Sequence, residues 1–144
     1  MKPTLPNVII CDIDGTLAHM KNRSPYDWDK VDEDEPDFII WDILLRYHLM
    51  PPRDRPEIIL VSGRDDVARD KTLAWLELLD IPYDSLLMRS TKDNRDDTVV
   101  KRELYETNIK GKYNVLFVLD DRNKVVKMWR ELGLKCLQVA DGDF

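Results

Sequence analysis

Residues 7–16 read NVIICDIDGT, and the fold turns on how this stretch is built. A short, almost continuously apolar run stops abruptly at Asp12-Ile13-Asp14-Gly15-Thr16. Strands covered on both faces are apolar throughout, whereas strands with one wet face alternate. Four further runs follow: Glu57–Ser62 (EIILVS), the weaker Ser85–Met88 (SLLM), Asn114–Asp120 (NVLFVLD) and Lys135–Val139 (KCLQV). Between them, apolar residues recur at helical spacing over Phe38–Leu49, Asp66–Leu79, Asp97–Asn108 and Arg122–Leu132, with Gly133 as a stop signal. Strands alternating with helices predict an α/β fold: an open, mainly parallel, five-stranded sheet with helices on both faces. Trp41, Trp75 and Trp129 are expected to pack in the core. Residues 18–37 fit neither pattern. Their mixture of Pro, Asn, Ser and acids predicts a loop or short flap. The acidic run Asp32–Glu35 is expected to be solvated, at the start of the following helix.

The chain has 144 residues, 43% of them apolar, which suits one domain over 1–144 with one buried core. Lys and Arg total 22 against 28 Asp and Glu, for a net charge of -6. That balance argues against a general nucleic-acid coat protein, which presents broad basic faces, and leaves room for a local basic spot. No apolar run approaches the ~20 residues needed to cross a bilayer, so no membrane contact is expected. The first apolar run meets aspartate too soon to be a secretory signal. Cys11 and Cys136 stand alone without a CxxC, which disfavours a disulfide scaffold and a thiolate zinc site; a reducing cytoplasm is expected.

In open α/β sheets, ligands bind beyond the carboxyl ends of the strands. The polar residues that matter are therefore those where apolar runs stop. The first run delivers Asp12, Asp14 and Thr16, the second Ser62, Gly63 and Arg64, the fourth Asp120 and Asp121. Four carboxylates at one edge repel one another, and a hard divalent cation relieves them. All-oxygen ligation favours magnesium over zinc, and magnesium prefers one or two carboxylates plus phosphate oxygens and water. The cluster Asp12, Asp14, Asp120 and Asp121 thus points to phosphoryl chemistry with Mg2+. Taken alone, Asp120-Asp121 reads equally as a helix cap before Arg122. A phosphate dianion also needs donors and cations, which Ser62, Arg64 and Lys101 offer. Asp97 lies four residues before Lys101, on the same helix face. By spacing alone that is an ordinary surface ion pair.

Asp-Ile-Asp-Gly-Thr after an apolar strand resembles the first motif of the haloacid dehalogenase-like phosphatases. Ser62, Lys101 and Asp120-Asp121 follow in the order of that family's other motifs. The chain resembles more closely still the 3'-phosphatase domain of phage polynucleotide kinase/phosphatase. It shares the Arg-x-Pro-Tyr-Asp stretch (Arg23–Asp27), Val-Ser-Gly-Arg (Val61–Arg64), Asp-Asp-x-Val-Val-Lys (Asp96–Lys101), Asp-Asp-Arg (Asp120–Arg122), Met-Trp-Arg (Met128–Arg130) and the Gly-Asp-Phe ending. The kinase P-loop GxxxxGK[ST] is absent from this sequence, so no kinase domain and no 5'-kinase activity are expected of it.

The resemblance implies roles. Asp12 would be the nucleophile and Asp14 the general acid and base. Ser62 and Lys101 would hold the transferring phosphoryl, and Asp97 would orient Lys101. Arg23 and Arg64, with Thr16 and Gly63, would line the substrate phosphate. Mg2+ would sit on Asp12, the backbone carbonyl of Asp14, and Asp120, with Asp121 direct or through water. The gaps between motifs leave no room for a large cap beyond the flap, which suits a bulky substrate. The expected reaction converts 3'-phosphorylated DNA or RNA ends to 3'-hydroxyls, touching only the terminal nucleotides, with a separate kinase or ligase as a possible partner. Tyr26 and Trp28 either stack on a terminal base or simply pin the flap. The competing readings are a phosphatase of free nucleotides or other small phosphate esters, and a non-catalytic end-binding module.

Overall fold

The computed structural model describes residues 4–144. The continuous apolar runs become five parallel strands: β1 (Asn7–Cys11), β4 (Glu57–Asp65), β5 (Ser85–Arg89), β6 (Asn114–Asp120) and β7 (Cys136–Gln138). Two short strands, β2 (Ala18–His19) and β3 (Glu35–Pro36), pair antiparallel in the flap. The helices are α1 (Phe38–His48), α2 (Arg69–Leu78), α3 (Asp97–Asn108) and α4 (Asn123–Glu131). The sheet order is β5-β4-β1-β6-β7. The chain lays β1, β4 and β5 in one direction and then returns to add β6 and β7 on the other side. The order therefore reverses between β1 and β6, the switch point where such sheets bind ligands.

The pleat explains why the runs are apolar without a break. Ile9 and Cys11 of β1 face a core with Ile40 and Leu44 of α1 and Trp75 and Leu76 of α2. Val8 and Ile10 face the opposite core, with Tyr105 of α3 and Val125, Val126 and Trp129 of α4. Successive side chains point to opposite faces, and helices cover both. Each side chain so buried contributes about 1.5–3 kcal/mol. Trp75 and Trp129 are buried as expected, while Trp41 is only partly so.

Local chemistry sets the helix ends. Asp37 Oδ1 accepts the N–H groups of Ile39 and Ile40, both at 3.1 Å, and so starts α1. The helix expected over Asp66–Leu79 is a 3-10 turn (Asp66–Ala68) followed by α2, because Asp65 caps the Val67 N–H at 2.9 Å. Strand β4 runs three residues beyond Ser62. Its pairing with β1 ends at Leu60, and its pairing with β5 slips between Ser62 and Asp65. Ser62, Gly63 and Arg64 thus lie inside the strand, at an irregularity past the end of its central neighbour, rather than after it.

The flap is tied down. Trp28 packs against the core, Val31 is buried, and a 3-10 turn spans Trp28–Glu33. The acidic run is not uniformly solvated: Asp34 is 5% exposed. Both cysteines are free and buried. Among the described residues no helix is long and apolar enough to cross a membrane.

Candidate active site

Three strand tips converge at the switch point. Asp12 leaves β1 with its N–H bonded to the Leu119 carbonyl of β6 at 2.9 Å. Asp12, Asp120 and Asp121 each place a carboxylate oxygen within 4.8 Å of the others, and all three residues are buried. Lys101 reaches in from α3, its Nζ 2.7 Å from Asp12 Oδ1 and 3.0 Å from Asp120 Oδ2. Thr16 Oγ1 lies 3.0 Å from Asp12 Oδ2 and 3.3 Å from Asp121 Oδ1, so its single proton serves one or the other. Gly15 takes φ +84°, and a Cβ there would run into the Asp121 carboxylate. Glycine is what lets the Asp12–Thr16 turn close on Asp121.

Charges in this cluster do not balance. Fully ionised, three carboxylates would meet one ammonium and leave two negative charges in a buried site. Burial pushes the Asp12 carboxyl well above the usual range; Asp120 adds to this and Lys101 opposes it. Burial, then Asp120, raises Asp121 likewise. Burial disfavours the charge on Lys101, but Asp12 and Asp120 outweigh it and raise its pKa, keeping the ammonium charged. An all-oxygen donor set with two uncompensated charges fits a hard divalent cation such as magnesium.

The two acids of the Asp-Asp pair are differently engaged. Asp120 Oδ2 accepts from Lys101 and from the Trp129 indole N–H at 3.1 Å, while Oδ1 accepts the N–H groups of Asp121 at 2.9 Å and Arg122 at 3.4 Å. Among the described residues the Asp121 carboxylate accepts a side-chain hydrogen bond from the Thr16 hydroxyl alone and otherwise faces the other carboxylates and Gly15. Lone pairs for a cation are therefore freest on Asp12 and Asp121, with Asp120 committed to Lys101 and Trp129. The resemblance implied Asp120 as a direct ligand beside Asp12, with Asp121 direct or through water.

A second cluster sits beside the first, and it is balanced. Asp14 Oδ2 accepts from Arg64 Nε at 3.0 Å, and Asp14 Oδ1 from Arg64 Nη2 at 2.8 Å and Arg23 Nη2 at 3.2 Å. Behind it, Asp34 accepts from Arg23 Nε at 2.7 Å, Arg23 Nη2 at 2.9 Å and Arg64 Nη2 at 2.7 Å. Two guanidiniums thus meet two carboxylates. The Asp34 hydrogen bond and charge hold the Arg23 pKa above its usual value, with burial opposing. Arg64 also donates to Thr72 Oγ1 at 3.0 Å and is 1% exposed. The arginines expected around a substrate phosphate are here engaged with Asp14 and Asp34. Asp14 keeps 30% of its side chain exposed and is the carboxylate that water reaches.

Ser62 is fully buried, its Oγ accepting the Arg64 N–H at 3.1 Å. Asp97 adds its charge to those of Asp12 and Asp120 in holding the Lys101 ammonium charged against burial. It makes no hydrogen bond to Lys101 among the described residues; its oxygens accept from Arg89 Nη2 at 2.8 Å and Arg122 Nη1 at 3.2 Å. The residues that hold Lys101 directly are Asp12 and Asp120. Gly63 is the neighbour of Asp97, since a Cβ at 63 would overlap its carboxylate. Sequence reasoning gave no site role to Asp34, Arg89 or Trp129. Arg89 also donates to the Gly63 carbonyl at 2.9 Å, bracing the irregular end of β4.

A parallel sheet in this order, with Asp-x-Asp beyond its central strand and a lysine bridging two of three clustered acids, defines a phosphatase domain of the haloacid dehalogenase type. Residues 6–144 match the phosphatase domain of polynucleotide kinase PNKP, and the chain belongs to that family. It is 37% identical over 131 residues to a putative bifunctional polynucleotide kinase/RNA ligase of Autographa californica nuclear polyhedrosis virus, covering 90% of this chain and 18% of the relative. A chain of the Pnkp1/Rnl/Hen1 RNA repair complex superposes with a TM-score of 0.91 at 44% identity, over 97% of this chain and 44% of the other. The HAD domain of the effector protein Lem4 from Legionella pneumophila shares the fold, with a TM-score of 0.59 at 12% identity, over 96% of this chain and 88% of the other. This chain spans less than half the length of the first two relatives.

Proposed function

We propose that this domain hydrolyses 3'-phosphate ends of DNA or RNA to 3'-hydroxyls through a phosphoryl-enzyme intermediate on Asp12. Family membership supports the reading, and the observation that carries it is the Asp12 carboxylate, held by Lys101 at 2.7 Å, beside a solvent-reached Asp14. In the first half-reaction an Asp12 oxygen attacks phosphorus and the bond to the substrate's 3'-oxygen breaks. Asp14 gives that oxygen its proton. In the second half-reaction Asp14 takes a proton from water, whose oxygen attacks the Asp12 phosphoryl and frees inorganic phosphate. Arg64 and Arg23 set the direction in which Asp14 faces. Lys101 offsets charge on Asp12 and stands ready for the phosphoryl oxygens, and Ser62 shapes the floor where β4 becomes irregular. Thr16 orients the Asp12 and Asp121 carboxylates.

Magnesium would be held by Asp12 and Asp121, with the Asp14 backbone carbonyl and Asp120 completing the protein side, and it would supply positive charge that draws the phosphate oxygens in. A 3'-hydroxyl is what a nucleic-acid ligase requires, so we place a ligase or kinase, as a separate chain or a linked domain, alongside this activity. The free thiols suit the reducing cytoplasm.

The experiment is a phosphate-release panel over 3'- and 5'-phosphorylated DNA and RNA oligonucleotides and 3'-mononucleotides, with Mg2+ or chelator. Release from 3'-phosphorylated oligonucleotides with Mg2+, lost in Asp12→Asn, is expected. Faster release from mononucleotides would instead make it a small-ester phosphatase. Equal background release by wild type and Asp14→Asn would make it an end-binding module.

A further inference from the structure

We propose that Tyr26 is the platform on which the terminal nucleobase of the substrate stacks, so that it selects polynucleotide ends over small phosphate esters; this rests on the 3'-phosphatase reading above. Tyr26 is 84% exposed, more than Phe38 at 69% or Phe144 at 66%. Its hydroxyl has no hydrogen-bond partner among the described residues. A ring that merely pinned the flap would be covered, and that task falls to Trp28, which packs against the core.

The exposed ring is nevertheless held. It meets Trp28 edge-on, with centroids 6.5 Å apart and planes at 89°. Pro25 and Tyr26 are the central residues of a turn closed by the Asp27 N–H on the Ser24 carbonyl at 3.1 Å. Arg23 Nη1 donates to the Ser24 carbonyl at 3.2 Å and to the Pro25 carbonyl at 3.5 Å. Its Nη2 donates to Asp14 at 3.2 Å. One guanidinium therefore couples the turn that carries Tyr26 to the carboxyl that would protonate the leaving 3'-oxygen. Summing these contacts with covalent geometry puts the Pro25 carbonyl oxygen, one peptide bond before Tyr26, within about 9 Å of the Asp14 carboxylate.

Charge supports the same occupant. With a net charge of -6, the domain is poorly suited to gripping a long phosphate backbone. Stacking binds a base without net charge and tolerates every base, because each has a π-face. An aromatic platform at the rim supplies affinity for one terminal nucleotide in an otherwise acidic protein.

The test compares wild type, Tyr26→Ala and Tyr26→Phe by steady-state kinetics. Substrates are 3'-phosphorylated DNA and RNA oligonucleotides, the same oligonucleotides ending in an abasic 3'-phosphate, and p-nitrophenyl phosphate. Tyr26→Ala is expected to raise KM for base-ended oligonucleotides about tenfold, with kcat within about twofold. Tyr26→Phe should match wild type, and the abasic and p-nitrophenyl substrates should not distinguish the three proteins. The effect should be equal for DNA and RNA, since stacking does not use the 2'-hydroxyl. Wild-type KM in Tyr26→Ala overturns the proposal, as does an equal loss on abasic substrates, which would show that the ring only holds the turn. An effect confined to RNA also overturns it, in favour of a ribose contact. A wild-type protein inactive on every 3'-phosphorylated oligonucleotide would sink the parent reading and this one together; an active wild type with an indifferent Tyr26→Ala sinks this one alone.

Discussion

Removing Asp34 should cost both stability and turnover, and the structure sets the size. Asp34 accepts three hydrogen bonds from two guanidiniums, at 2.7, 2.9 and 2.7 Å. It is 5% exposed, and its carbonyl accepts the Trp75 indole N–H at 2.8 Å. Asp34→Ala leaves Arg23 and Arg64 to share Asp14 alone. Breaking a buried ion pair from one side costs about 3–5 kcal/mol. A domain of about 150 residues loses about 2–4 °C for each kcal/mol, so Tm should fall by about 6–20 °C. Asp34→Asn keeps the volume and one acceptor, and should fall less. With Arg64 freed to move, Asp14 is no longer aimed, and misplacement of this kind lowers kcat by about 10- to 100-fold. The assays are thermal melting and phosphate release at a temperature where the Asn variant stays folded. A Tm within about 2 °C of wild type together with an unchanged kcat would refute the reasoning.

Further perturbations follow from single contacts. Trp129→Phe keeps the edge-on packing against Tyr105 but removes the 3.1 Å donor to Asp120. It should cost about 1.5–3 kcal/mol in a denaturant titration, and an unaltered midpoint would show that the indole N–H is idle. Gly63→Ala should drive the Asp97 carboxylate off Arg89 and Arg122, costing about 1–3 kcal/mol through overpacking; a crystal structure with Asp97 unmoved would contradict this. In chelator, burial and Asp120 hold Asp12 above its usual pKa, and burial holds Asp121 up as well. The folded state then keeps protons that the unfolded chain has released. That stability is full below the ordinary carboxylate pKa and is lost as pH rises through the raised values. Tm in chelator should accordingly decline as pH rises above the ordinary carboxylate range and flatten when Mg2+ is added; a rising Tm would be inconsistent with the raised acids.

The sheet was legible because strands covered by helices on both faces run continuously apolar, so the first polar residue after each run stands out, although these polar residues are themselves buried in the site. Asp12, Ser62 and Asp120 were visible for that reason. The reach of β4 was not, because Gly63 and Arg64 look like loop residues and sit where the pairing with β5 slips. Asp34 was hidden inside a run of acids that resembles a solvated helix start. Its partner Arg64 lies 30 residues away, and no local periodicity reports such a pairing. A usable signal was present all the same: Asp37 already caps α1, which left Asp34 without a local task. Lys101 was visible but its setting was not, since sharing a helix face with Asp97 suggested a contact that Arg89 and Arg122 take instead. Trp129 sat at an apolar position of α4, where helical spacing accounts for the ring and says nothing of its N–H.

The most direct test of a covalent route is rapid acid quench of the enzyme mixed with an oligonucleotide bearing a radiolabelled 3'-phosphate. Label should appear on protein within the first turnover, map by peptide analysis to Asp12, and be lost to hydroxylamine, as expected of an acyl phosphate. Inorganic phosphate released at full rate with no label ever on the protein would mean that water attacks the substrate directly, and that Asp12 is not the nucleophile.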